Sequence, residues 1–379
     1  MDSGTNTAAT RAATRLSFLV AGFVMACWAP LIPFAKARSG VDEGQLGLLL
    51  LCLGIGSLIA MPTAGFISAR TGAKPMILLG GAGLCLLLPV LAVVSAPWAL
   101  AVGVLLFGAS LGTIDVAMNV HSVEVEKDSK IPLMSGFHAM FSLGGFAGAG
   151  GMTLLLSNGV TPLVSALVAV ALACVALVIA APRLLRAAGG TPPAFALPRG
   201  SVLLLAFLTA VIFLVEGAVL DWGALLLVDR GISAVEQAGL GYMMFSVAMT
   251  LGRLTGDRIV AALGPFKVLV FGGALTFAGF ALVLTVDWKP GTMAGFVLIG
   301  LGAANLVPVL FSATGRQKVM PAGMAIAAVT TTGYAGILAG PALIGLAAHA
   351  TSLTTAFWML GIMVLLMAAG ARIVVGAGR

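Results

Sequence analysis

Residues 65–75 read GFISARTGAKP. Arg70 and Lys74 mark a short polar gap between two long apolar runs, 45–68 and 74–95. About 20 apolar residues at 1.5 Å per residue cross the ~30 Å hydrocarbon layer of a bilayer. Two such runs on either side of so short a gap predict a helical hairpin, its turn in water and its arms in lipid.

The same alternation extends in both directions. Spanning runs fall at about 15–35, 45–68, 74–95, 97–121, 132–156, 160–181, 201–227, 236–258, 266–287, 291–313, 321–348 and 353–375. Composition agrees: 60% of the 379 residues are apolar and 9% are charged, against roughly a quarter charged in soluble domains. Such a chain cannot cover its surface with polar groups, so lipid is its solvent. The 50 glycines suit close helix packing in membranes. Arg11 and Arg15 precede the first run as they would a signal peptide. The run's length, its Pro30 and Pro33 and the array behind it fit an uncleaved first helix better.

Several functional classes drop out. The net charge of +7 comes from scattered basic residues that form no phosphate-tracking stripe, so nucleic acid is not a partner. Cys27, Cys52, Cys85 and Cys174 all lie in apolar runs without a Cys-x-x-Cys pair, which argues against metal or redox chemistry. No phosphate-cradling Gly-x-x-x-x-Gly-Lys-Ser/Thr loop occurs, so ATP is not the energy source and no cofactor is implied.

The one long gap, Pro182–Gly200 (PRLLRAAGGTPPAFALPRG), is rich in Pro and Gly and divides the chain into six runs and six runs. The expected organisation is a bundle over 1–181, a cytoplasmic linker over 182–200 and a second bundle over 201–379. The fifth and eleventh runs contain FSLGGFAGAGG and GYAGILAGPALIG, with Gly144 and Gly148 matching Gly336 and Gly340 at a four-residue spacing. Small residues so spaced let backbones approach closely. The fold class is therefore an all-α membrane protein of twelve transmembrane helices in two pseudo-symmetric bundles, an arrangement typical of rocking transporters.

Charge inside a span costs ~2.5–3.5 kcal/mol on insertion scales and marks a candidate site. Asp115, His138 and Glu216 lie well within runs. Asp115 is nine residues before Glu124, and His138 eight residues after Lys130, so both sit roughly 12–14 Å from their helix ends. On antiparallel helices joined by a short loop they reach similar depth, where a carboxylate and an imidazole can share a proton or simply lock two helices. Asn119 is one turn from Asp115. Glu216 is near mid-membrane in VIFLVEGAVLDWG, with Asp221 and Trp222 toward the outer end, where Trp often anchors at the interface. Asn305 and Pro308 lie mid-span in GLGAANLVPVLFS, as a solute contact or as packing beside a kink. Trp28 is either a stacking surface or a core residue, and His121 and His349 read as solvated histidines near span ends.

The 65–75 stretch resembles the signature loop of the major facilitator superfamily at Gly65, Arg70, Gly72 and Lys74, with Ala69 where that loop has Asp. Its counterpart, GRLTGDRIVAALGPFK at 252–267, keeps Asp257 and Arg258 and has Arg253 in place of the first Gly. The resemblance implies a gating role for Arg70, Gly72, Lys74, Asp257 and Arg258. GTIDVAMNVHS (112–122) and LMSGFHAMFSLGGFAGA (133–149) resemble the fucose-permease branch. That resemblance sets Asp115, Asn119 and His138 at its acidic, Asn and polar positions, and implies proton-coupled uptake of a sugar or polyol rather than an enzyme. His138 stands where the branch has an amide, and Phe141 where it has a polar group. The expected partners are a small solute, protons and the bilayer. Drug/proton antiport and a non-transporting sensor on a transporter fold are the alternatives. An antiporter signature resembles Gly340–Pro341, though in the eleventh run rather than the fifth, and the short gaps hold no signalling domain.

With the N-terminus in the cytoplasm, sixteen of the twenty Lys and Arg residues fall on the cytoplasmic side, leaving only Lys36, Arg38, Arg230 and Lys289 outside. The positive-inside rule then predicts a multi-pass inner (plasma) membrane protein with both termini cytoplasmic. A reporter active only in the periplasm, fused after Arg379, is expected to stay silent; a strong signal there overturns the helix count or the orientation.

Overall fold

A computed structural model describes residues 7–127, 133–185, 197–320 and 322–372, and every regular element among them is helical. The α-helices are α1 (Ala8–Trp28), α2 (Ile32–Ser39), α3 (Glu43–Thr71), α4 (Ala73–Val93), α5 (Pro97–Lys127), α6 (Met134–Ser157) and α7 (Pro162–Ala180). They continue as α8 (Ser201–Asp229), α9 (Leu240–Leu254), α10 (Gly256–Thr285), α11 (Lys289–Ala303), α12 (Leu306–Arg316), α13 (Ala322–Ala350) and α14 (Leu353–Ala369).

Among the described residues ten stretches are long and apolar enough to cross a bilayer. One runs through α1 and α2, joined by a tight turn at Ala29–Leu31 beside Pro30. Another runs through α11 and α12 across Ala304 and Asn305. The 17-residue α14 is a shorter apolar helix, and the 15-residue α9 lies where the eighth span is expected. The eighth span is shorter than the expected 236–258. After Leu254 a new helix starts at Gly256 and bends at Gly264, whose φ of 76° leaves the helical range just before Pro265.

The helices gather into two compact units. One comprises residues 1–41, 49–192 and 235–239, the other 42–48, 193–234 and 240–379. In the first, α6 packs mainly along α1 and α4 along α5; in the second, α13 packs along α8 and α10 along α11. The seams are glycine-lined. A methyl on Gly22 would overlap the Phe141 carbonyl, and one on Gly144 or Gly148 would overlap the Leu19 or Phe23 carbonyl. In the second unit a methyl on Gly336 would overlap the Ala210 carbonyl. In the fifth span both glycines of the four-residue pair thus meet backbone, whereas in the eleventh only Gly336 does and a methyl on Gly340 would press on the Leu214 side chain.

Other features recur. Gly72 and Gly264 have φ of 89° and 76°, each just before the start of a span at Ala73 or Pro265. Arg38 donates from Nε to the Val94 carbonyl at 2.9 Å and from Nη2 to Leu91 at 2.8 Å, capping α4. Arg230 likewise reaches the Val283 and Val286 carbonyls at the end of α10 and pairs with Asp287 at 2.6 Å. The last four carbonyls of a helix have no partner within it, and a cation there also suits the helix dipole. Trp98 and Trp288, 74% and 63% exposed, flank the starts of α5 and α11, as aromatic residues at a membrane boundary do. Trp222, by contrast, is no interface anchor. It is fully buried and is among the largest side chains of the second unit's core.

Overpacking a seam typically costs about 1–3 kcal/mol, so Gly144→Val is expected to lower the thermal unfolding midpoint of the purified protein in detergent. Gly151, on the same helix, has nothing within 4 Å of an added methyl, so Gly151→Ala is expected to be neutral or mildly stabilising.

Candidate functional site

In the first unit Asp115 and Asn119 sit one turn apart on α5, both half-buried. Asn119 Nδ2 donates to the Asp115 carbonyl at 2.8 Å and to its carboxylate Oδ1 at 3.4 Å. Among the described residues no ion pair reaches Asp115. His138, on α6, is exposed and sets its ring edge-on to Phe18 of α1, with centroids 5.0 Å apart. Because α6 lies along α1 and meets α5 only lightly, the contact described for His138 is to α1, whereas the bonds of Asp115 run within α5.

His121 differs from the expected solvated histidine. It is completely buried. Its Nε2 accepts from the Leu185 backbone N–H at 2.9 Å, so its Nδ1 carries the hydrogen toward Thr14 Oγ1 at 3.0 Å. The Thr14 hydroxyl in turn donates to the Thr10 carbonyl at 2.9 Å. The imidazole thus ties α5 to α1 and to the start of the segment after α7. Burial without water demands such partners. His349 is exposed, as expected.

In the second unit Glu216 of α8 accepts from Arg253 Nη2 of α9 at 2.9 Å, their side chains 21% and 37% exposed. Arg253 therefore belongs to the last turn of α9 and not to the gap that follows; the carboxylate on the neighbouring helix gives its charge a partner within the span. Tyr242 and Ser246 lie on the same helical face as Arg253, and Asp221 lies half-buried further along α8. Asn305 is buried at the break between α11 and α12, and its Nδ2 donates to the Gly252 carbonyl at 3.1 Å. Its amide thus secures the end of α9, the packing role already open to it.

Of the loop residues, Arg70 stacks its guanidinium 4.1 Å from the Phe66 ring centroid, Gly72 takes the turn described above and Lys74 opens α4. Arg258 is exposed, and the Asp257 side chain lies outside those described. Residues 186–196 of the expected linker are also outside the described residues. Trp28 is buried in its unit, and the indole N–H groups of Trp28 and Trp222 have no partner among the described residues. The Glu216–Arg253 pair could not be found from spacing, because 37 residues separate its members.

The model of the Major Facilitator Superfamily matches residues 16–320. An MFS-type transporter of Yersinia pestis is 50% identical over 364 residues, covering 95% of this chain and 94% of that protein. The membrane protein MosC of Rhizobium meliloti is 31% identical, covering 90% of this chain and 84% of its own length. Among solved structures, the nucleoside transporter NupG matches with a TM-score of 0.74 at 15% identity, covering 97% of this chain and 99% of that one. A D-xylose–proton symporter matches with a TM-score of 0.74 at 14% identity, covering 98% of each chain.

Removing one partner of a buried ion pair costs about 3–5 kcal/mol, and partial exposure lowers this toward about 1–2 kcal/mol here. Arg253→Gln is therefore expected to destabilise the protein by that amount in thermal unfolding. Adding Glu216→Gln should restore most of the loss, because the stranded carboxylate is gone.

Proposed function

The chain belongs to the major facilitator superfamily of transporters, so it is not an enzyme, and we propose that it takes up a small polar solute such as a sugar or polyol by proton-coupled symport. One observation carries the reading: Asp115 is a carboxylate inside a span, bonded by Asn119, and no cation pairs with it among the described residues. An unpaired carboxylate in low dielectric favours its protonated form, and contact with water favours its ionised form. A side chain that meets both settings in one transport cycle takes up a proton in one and releases it in the other.

Glu216 has Arg253 as its counter-ion. We assign proton carriage to Asp115 and polar contact with the solute to Asn119 and His138; the Glu216–Arg253 pair is the second unit's own candidate for polar contact. Asn305 is assigned to the helix break it secures. The resemblance of residues 112–149 to the fucose-permease branch supports a sugar or polyol. The fold shared with a D-xylose–proton symporter supports the proton as coupling ion. Arg70, Gly72 and Lys74 in one loop, with Asp257 and Arg258 in the other, would form the gating loops on the cytoplasmic face of the inner membrane, where both termini also lie.

The test is transport into proteoliposomes with an imposed pH gradient, using a panel of pentoses, hexoses and polyols selected by thermal stabilisation of the purified protein. An alkaline interior is expected to drive accumulation. Asp115→Asn should abolish uphill accumulation and leave solute exchange intact, since exchange moves no net proton. Full uphill transport by Asp115→Asn would remove Asp115 from the coupling mechanism.

A further inference from the structure

A cleft of about 270 Å³ runs along the surface of the second unit between α8 and α14. Its walls are Leu204, Leu208 and Val211 on one helix and Met363, Met367 and Gly370 on the other. The relief is deep: Leu208, Val211 and Met367 are 8%, 3% and 3% exposed, while the flanking Phe207 and Leu366 stand out at 56% and 67%. The two methionines add soft, adaptable surface, and Gly370 leaves one end without a side chain. The cleft extends eight residues, or seven helical steps, along each helix, from Leu204 to Val211 and from Met363 to Gly370. That is about 10 Å of the ~15 Å depth of one leaflet.

The cleft lies where α8 begins and α14 ends. Leu204 is three residues after Ser201, and Gly370 directly follows Ala369. Arg199 precedes α8 by two residues and Arg372 follows Gly370 by two, and both are exposed. Neither guanidinium makes an ion pair or hydrogen bond among the described residues. Long basic side chains at span ends lay their stems on apolar surface and carry their charge to the headgroup level. No carboxylate competes with them on these two helices near this end. The acidic residues of 197–229 are Glu216, Asp221 and Asp229, all beyond the far end of the cleft, and 353–372 contains none.

From this arrangement we propose that the second unit retains one anionic phospholipid, an acyl chain in the α8–α14 cleft and its phosphate on Arg199 and Arg372. The cleft gives the length and apolar lining for a chain, and the two unpaired guanidinium groups give the sign of the headgroup. Basic pockets between transmembrane helices at the inner surface bind anionic headgroups by this means. The site is separate from Asp115 and does not depend on which solute is carried.

Native mass spectrometry of the full chain in neutral detergent tests the site, by titration with dioleoylphosphatidylglycerol and with dioleoylphosphatidylcholine. Two arginines at the surface correspond to a preference for the first anionic lipid of roughly thirtyfold. Arg199→Gln combined with Arg372→Gln is expected to bring that preference to within about threefold. Leu204→Trp, which fills the mouth of the cleft, should weaken both lipids together. Arg316→Gln with Lys318→Gln removes as much charge from elsewhere in the unit and should leave the preference in place. Equal binding of the two lipids by the parent chain overturns the proposal. So does a preference that survives the arginine double substitution, or one lost equally in the Arg316 and Lys318 control, which would make the effect one of surface charge alone.

Discussion

Apolar side chains gain little by turning from lipid toward one another, so helices in a bilayer hold together through close contact and through polar bonds. In this chain the closest contacts are backbone against backbone. Gly22, Gly144 and Gly148 bring α1 and α6 together, and Gly336 does the same for α8 and α13. A side chain at any of these positions would push two helices apart along their length. Every polar contact between those helices and their neighbours then has a fixed frame to work in. His121 reaches Thr14 and Leu185 at hydrogen-bond distance only because α1, α5 and the end of α7 are already drawn together.

Three arrangements of polar groups stand out in the spans and at their ends. Some complete a helix end: Arg38 and Arg230 bond the last carbonyls of α4 and α10, and Asn305 bonds one near the end of α9. Glu216 and Arg253 neutralise one another and are only partly exposed, so their charge is compensated without being sealed away. Asp115 has a neutral amide beside it and no cation among the described residues. The three conditions are chemically distinct.

The spans themselves were legible in the sequence, since 20 apolar residues between polar gaps leave little choice in lipid. The glycine pattern of the fifth and eleventh spans was legible too, because four-residue spacing places small residues on one helical face. What the sequence hid depends on neighbours far along the chain. Trp222 read as an interface anchor because it lies near a span end, yet its helix turns it into the core, while Trp98 and Trp288 take the boundary. His121 read as solvated for the same reason and is enclosed instead by α1 and by residue 185. Arg253 stood in a motif-like gap, but α9 carries it beside Glu216. In each case distance from a span end gave depth in the membrane but not the direction in which the side chain points.

The glycine seams also bear on mechanics. Two backbones in contact have no side chains between them to compress or rearrange, so α1 with α6, and α8 with the first part of α13, bend little independently of one another. Neither α1, α6 nor α8 has a proline in its interior, whereas α3, α4 and α13 carry Pro62, Pro89 and Pro341. A proline removes one hydrogen bond from the helical ladder and loosens it locally. The helices that carry an interior proline are thus the ones built to bend, and α10, with its break at Gly264 and Pro265, joins them.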